Sequence, residues 1–268
     1  MKKLGFGLGG FILLDLYFNV TTHMISNTII QFISILLFFP IASYIAKLNG
    51  LPGLRGIGLT KNSNYIKYFF VSFLFGFSVW SLLYFTYWSL GKFEITGVQM
   101  GWNAAWNLLQ VLVGFFLGSF INDLVTRGYV MNLLKGKLSP IMIGIISIII
   151  YALDDFWNGD FTLMNFVFSF VLGCSLTFAF YKTGTIWADT GLHFGLNIAY
   201  GLLYGLIGKP GGGIILISKG EISPVVNNMI VLMMASLLFV IVYFYYRKKE
   251  QIVTEIQIQG NLTLNTKS

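Results

Sequence analysis

Ile222–Tyr246 reads ISPVVNNMIVLMMASLLFVIVYFYY, 25 residues without a charge between Glu221 and Arg247. A helix needs about 20 mostly apolar residues to cross a bilayer. Within lipid every backbone N–H and C=O must be satisfied inside the segment or in a closed barrel, and a run this long favours a helix. Two more charge-free runs repeat the pattern, Tyr68–Gly91 with 24 residues and Phe161–Tyr181 with 21. The whole chain of 268 residues is 56% hydrophobic and 10% charged, against about 25% charged residues in a soluble domain. This composition predicts an integral membrane protein built from helices.

The rest of the chain arranges itself around these runs. Met1–Tyr17 opens with Lys2 and Lys3, and no small-residue cleavage site follows it, so it reads as a weak first crossing rather than a signal peptide. Further helices are expected at Ser26–Ala46, Tyr65–Leu90, Trp102–Ile121 with a continuation through Arg127, Pro140–Leu153, Phe161–Tyr181, Ile186–Ile207 and Pro224–Tyr246. The fold class is an all-α membrane protein of about eight transmembrane helices surrounding an intramembrane polar cavity. Residues 1–50 form an N-terminal pair of helices and residues 51–246 the membrane core. Residues 247–268 form a polar tail, disordered or loosely interfacial. The segments Lys92–Glu94 and Lys209–Glu221 read as loops.

The net charge of +7 does not point to nucleic acid. Lys2 and Lys3, Lys47 to Lys67, Arg127 to Lys137, Lys182 and Arg247 to Lys249 fall on one side of an eight-helix topology. Asp154, Asp155, Asp160 and the mixed-charge loops fall on the other. Basic residues concentrate in cytoplasmic loops, which predicts a multi-pass protein of the cell membrane with both termini in the cytoplasm. The single cysteine, Cys174, excludes an intramolecular disulfide and reads as a small core residue.

Polar side chains inside apolar sequence are costly in a membrane and are functional candidates by default. They form three groups here. Asp123 and Arg127, four residues apart, share a helix face and suit either a structural ion pair or an active cluster, with Asn122 rotated away by about 100°. Asp154 and Asp155 close a helix that also carries Tyr151; they are either solvated loop residues or, for Asp155, an inward-facing group. His193 and Asn197 stack on one face, among Gly191, Gly195 and Gly201, which permit close helix approach. They form an interhelical hydrogen-bonding pair or part of a site. His23, alone near a loop, reads as interfacial. Carboxylate plus imidazole suits activation of water or of a metal.

These motifs resemble the CAAX prenyl protease 2 family, also called CPBP or Abi intramembrane endopeptidases. That family carries Glu-Glu-x-x-x-Arg, Phe-x-x-x-His and His-x-x-x-Asn or Asp on successive membrane helices. Arg127-Gly128-Tyr129, the stretch Lys182–Ala188 and the linker Gly53–Leu59 add to the likeness, which covers Gly53 to Leu206. Asn122 stands where the family has its water-activating glutamate, and an amide cannot accept that proton. Asp123 matches the second glutamate, Arg127 the arginine, Tyr151 the phenylalanine and Asp155 the second-motif histidine. His193 and Asn197 keep the third motif. The resemblance implies catalytic positions at His193, Asn197, Asp155, Asp123 and Asn122, with Arg127 and Tyr151 in support. A divalent metal, if used, has His193 and Asp155 as candidate ligands.

Three functions compete. The altered first and second motifs favour a non-catalytic relative that binds a membrane-associated peptide or envelope protein, as in bacteriocin immunity or control of envelope enzymes. A working endopeptidase would need Asp155 or Asp123 as base with His193 and Asn197. A carboxylate-lined transporter would ordinarily show internal repeats or broken half-helices, and no repeat is evident.

Overall fold

The computed structural model describes residues 2–247 apart from 62, 160 and 207, and leaves out the side chains of residues 2–4, 155 and 158. The polar tail from 248, and with it the expectation of disorder, lies outside the described residues.

Eight long helices occupy the described chain. They are α1 (Lys2–Met24), α2 (Thr28–Leu48), α4 (Tyr65–Ser89), α5 (Gly101–Asp123), α7 (Pro140–Asp154), α8 (Leu163–Thr183), α9 (Ile186–Tyr204) and α10 (Pro224–Tyr246), with the one-turn α3 (Gly53–Gly56) in the linker. From α5 the chain continues through a π-turn, Leu124–Tyr129, into the short α6 (Val130–Leu134). Five of these segments are long and apolar enough to cross a membrane: α2, α4, α5 through Leu134, α8 and α10. The protein is an all-α membrane protein on that count.

Sequence sets several of the boundaries. The Asn27 side chain caps α2 by accepting from the N–H groups of Ile29 and Ile30, both at 3.1 Å, and Thr162 caps α8 through the N–H of Asn165. Such caps satisfy amides that have no partner in the first turn. Pro224 opens α10 at a position where its missing N–H costs nothing. Helix α1 runs to Met24 rather than ending at Tyr17, and Thr22 Oγ1 within it donates to the carbonyl of Phe18 at 3.0 Å. His23 is therefore helical. The two expected loops at Lys92 and after Lys209 instead contribute an antiparallel pair of strands, β1 (Phe93–Val98) and β2 (Ile215–Lys219), with an irregularity between Ile95 and Gly97.

Close contacts fix the helix directions. Helices α4 and α9 run parallel along a glycine seam. A Cβ on Gly191 would lie 2.3 Å from the Phe69 carbonyl oxygen, one on Gly195 2.3 Å from that of Phe73, and one on Gly76 2.2 Å from that of Leu192. Only glycine permits such backbone contact. Helix α5 is antiparallel to α9, since Asp123 meets His193 while Ser119 meets Asn197. Helix α7 is antiparallel to α5, with Ser147 bonded to the Thr126 carbonyl and Asp154 to Asn122. One apolar core joins α4, α8, α9 and α10 around Trp80, Leu176, Leu192 and Leu238. A second joins α1, α2 and the π-turn segment around Leu14, Phe38, Ile121 and Tyr129. The polar residues lie where α5, α7 and α9 bring these cores together.

Candidate functional site

The π-turn after α5 carries the first group. π-turns are rare insertions that widen a helix by one residue and recur at functional sites. This one is held by the linker, for a Cβ on Gly128 would fall 2.2 Å from the Ile57 carbonyl oxygen. Asp123 and Arg127 form the ion pair expected from their spacing, Nη1 to Oδ1 at 2.5 Å, with both side chains fully buried. The guanidinium carbon also lies 4.3 Å from the centroid of the Tyr151 ring, a cation–π contact strengthened by burial.

The same Asp123 oxygen receives His193 from α9. Nδ1 stands 3.1 Å away, so a neutral imidazole donating there presents Nε2 as its acceptor. The ring is 12% exposed and meets Tyr151 edge-on at 5.8 Å and 86°. One turn further along α9, Asn197 Nδ2 donates to Ser119 Oγ at 3.0 Å. His193 and Asn197 thus share a helix face and both turn towards α5.

Asn122 enters a different group. Its Nδ2 donates to Asp154 Oδ2, while Asp154 Oδ1 accepts from Asn19 Nδ2 on α1 at 3.2 Å. Asn19 also reaches Asp15 Oδ1 at 3.4 Å, and the Asp15 carboxyl lies beside Asp154 and Trp157. His23, one turn beyond Asn19, touches the Asn19 carbonyl through Nδ1 at 2.9 Å, and its ring lies tilted against Trp157 at 6.1 Å. The carboxylate that the structure brings to Asn122 is therefore Asp154. The backbone of Asp155 begins a 3₁₀ turn, Asp155–Asn158, and its side chain lies outside the described residues.

Several participants were not singled out from sequence. Asp189, four residues before His193, is fully buried with neither carboxylate oxygen hydrogen-bonded, within electrostatic reach of Asp123 and Arg127. Its signal was legible: an acid inside an otherwise apolar helix. Asp15 and Asn19, spaced four apart on α1, carried the same kind of signal. Among the described residues the Arg127 Nε and Nη2, the Asp123 Oδ2 and the Asn122 Oδ1 also lack hydrogen-bond partners.

Of the two candidate metal ligands, His193 and Asp155, the side chain of Asp155 lies outside the described residues. Among the described residues no three His, Cys, Asp or Glu side chains group closely enough to hold an ion, and His193 Nδ1 is already engaged with Asp123.

A buried Arg–Asp–His assembly thus lies between antiparallel helices of a multi-pass membrane protein. Residues 104–199 match the family model described as Type II CAAX prenyl endopeptidase Rce1-like. That span runs from α5 to α9 and holds Asn122, Asp123, Arg127, Tyr151, His193 and Asn197. It is the family that the motifs resemble, and over these residues the chain is similar to it. A search of curated proteins found no match to the chain.

Proposed function

We propose that this protein holds a membrane-associated peptide or envelope protein at the His193–Asn122 site and cleaves it little or not at all, in a role such as bacteriocin immunity or control of an envelope enzyme. One observation carries this reading. The position that resembles the water-activating glutamate is an amide, and the carboxylate beside it, Asp123, is fully buried between Arg127 and His193. Losing a catalytic group of this kind ordinarily costs orders of magnitude in rate.

A second reading, an active endopeptidase, is favoured by Asp154, whose carboxylate reaches Asn122 from α7. In that reading Asp154 takes a proton from a water oriented by His193 Nε2, the water oxygen attacks the scissile carbonyl while Asn197 donates to the oxyanion, and as the intermediate collapses the C–N bond breaks and the proton on Asp154 passes to the leaving amine. Purified protein in nanodiscs, offered prenylated and unmodified membrane peptides, separates the two. Binding weakened by His193→Ala, with cleavage no greater than in Asp154→Ala and Asp155→Ala controls, is expected. Robust cleavage abolished in both Asp154→Ala and His193→Ala would overturn the non-catalytic reading.

The eight long helices cross the bilayer in alternation with both termini cytoplasmic. The parallel course of α4 and α9 and the antiparallel course of α5 against α9 support this, together with the loop charges. Single cysteines at positions 61 and 94, in a Cys174→Ser background, should label from opposite sides. Labelling from one side rejects the topology.

A further inference from the structure

A groove at the sheet-bearing end of the bundle is separate from the polar site. Helices α4 and α9 touch along the glycine seam, but further along the same two helices they line an open groove. Trp88, Tyr84 and Phe85 contribute from α4, Leu202 and Leu203 from α9, and the sheet closes over it with Phe93. Its volume is about 170 Å³, and Ser81 and the Tyr84 hydroxyl are the polar features of the lining. Apolar cavities of about 150 Å³ stay dry and take up molecules the size of benzene. The lining therefore selects a hydrocarbon segment, and it offers few hydrogen-bonding groups to a peptide.

The rim supplies charge. Lys92 precedes Phe93, and Lys219 is Phe93's partner across the sheet. Lys92 is half-buried, with Nζ bonded to Asn227 Oδ1 and 3.7 Å from the Tyr87 ring centroid. Burial holds its pKa below the ordinary lysine value. No carboxylate lies within ion-pair distance of it among the described residues, whereas buried charges are ordinarily paired. Trp88, Trp102 and Trp106 are exposed at this end. Tryptophan concentrates at membrane–water interfaces, which sets the groove mouth at headgroup level.

We infer that the groove binds one anionic phospholipid, with an acyl chain between α4 and α9 beneath the sheet and the phosphate drawn to Lys92 and Lys219. Native mass spectrometry of extensively washed protein, titrated with phosphatidylglycerol or phosphatidylcholine, tests this. One phosphatidylglycerol adduct should persist, favoured by about tenfold or more, as expected for two lysines near an anionic lipid. Lys92→Gln/Lys219→Gln should abolish that preference. Leu202→Trp, which fills the groove with an indole, should abolish the adduct; where that variant fails to fold, Ile95→Trp fills the same space from the exposed strand. Equal retention of the two lipids, a preference untouched by the lysine changes, or a peptide retained in place of the lipid would each overturn the inference. None of these residues belongs to the polar site, so peptide binding at His193 is tested independently.

Discussion

Asn122 has two carboxylates for neighbours, Asp123 next to it in sequence and Asp154 across from it in space, and they are held in opposite ways. Asp123 is fully buried and one of its oxygens serves both the Arg127 guanidinium and the His193 imidazole. Asp154 is half-buried and is held by amides, from Asn122 and Asn19, with another carboxyl, Asp15, beside it. No arginine or lysine lies within ion-pair distance of Asp154 among the described residues. A carboxylate matched to a fixed cation in a dry setting is part of the scaffold, because separating the charges leaves one buried and unpaired. A carboxylate held by neutral donors keeps the freedom to exchange a proton or a partner. On the proposed reading this difference gives Asp123 and Arg127 a structural role and leaves Asp154, with His193, to recognition. It also gives α1 a part in the site, although α1 lies outside the 104–199 match.

The sharpest way to break that division is to remove the cation. Arg127→Ala leaves Asp123 buried without its counter-ion, which should cost about 3–5 kcal/mol and appear as a lower folded yield in membranes and a lower unfolding temperature in detergent. Arg127→Lys keeps the charge but not the planar fork or its stacking on Tyr151, so it should recover only part of the loss. Normal yield and unfolding temperature for Arg127→Ala would remove the structural role from Asp123.

How much of this was legible in the sequence follows from range. The charge-free run Ile222–Tyr246 and Pro224 at its head place α10 at Pro224–Tyr246. The i,i+4 spacing of Asp123 with Arg127, and of His193 with Asn197, places each pair on one face, because both are rules within a single helix. Contacts between helices were not legible. Nothing local pairs Asn122 with Asp154 rather than Asp155, since adjacent residues differ by about 100° in direction and helix rotation is set by packing. The strand pairing of Phe93 with Lys219 joins segments far apart in the chain and leaves little short-range mark. Asp15 and Asp189 were visible as acids in apolar helices. Their involvement depended on α1 and α9 packing against α5 and its π-turn, which periodicity alone does not fix.

A change at Asp154 should affect stability less than one at Arg127. Asp154→Ala removes the acceptor shared by Asn122 and Asn19. Each amide then loses a hydrogen bond, yet no cation is left buried without its partner. A buried donor without its acceptor costs about 1–3 kcal/mol, so Asp154→Ala should unfold at a temperature between wild type and Arg127→Ala. Asp154→Asn, whose amide oxygen still accepts, should lie closer to wild type. Asn122→Ala removes the other half of the contact, and combining it with Asp154→Ala should cost less than the sum of the two, with a coupling of about 0.5–3 kcal/mol for residues in direct contact. Affinity for a membrane peptide should fall more in Asp154→Ala than its stability does, the reverse of the order expected for Arg127→Ala. Thermal unfolding and peptide titration on wild type, Arg127→Ala and Asp154→Ala measure both. If Asp154→Ala destabilises as much as Arg127→Ala and leaves peptide affinity unchanged, Asp154 is scaffold as well and the division between the two carboxylates fails.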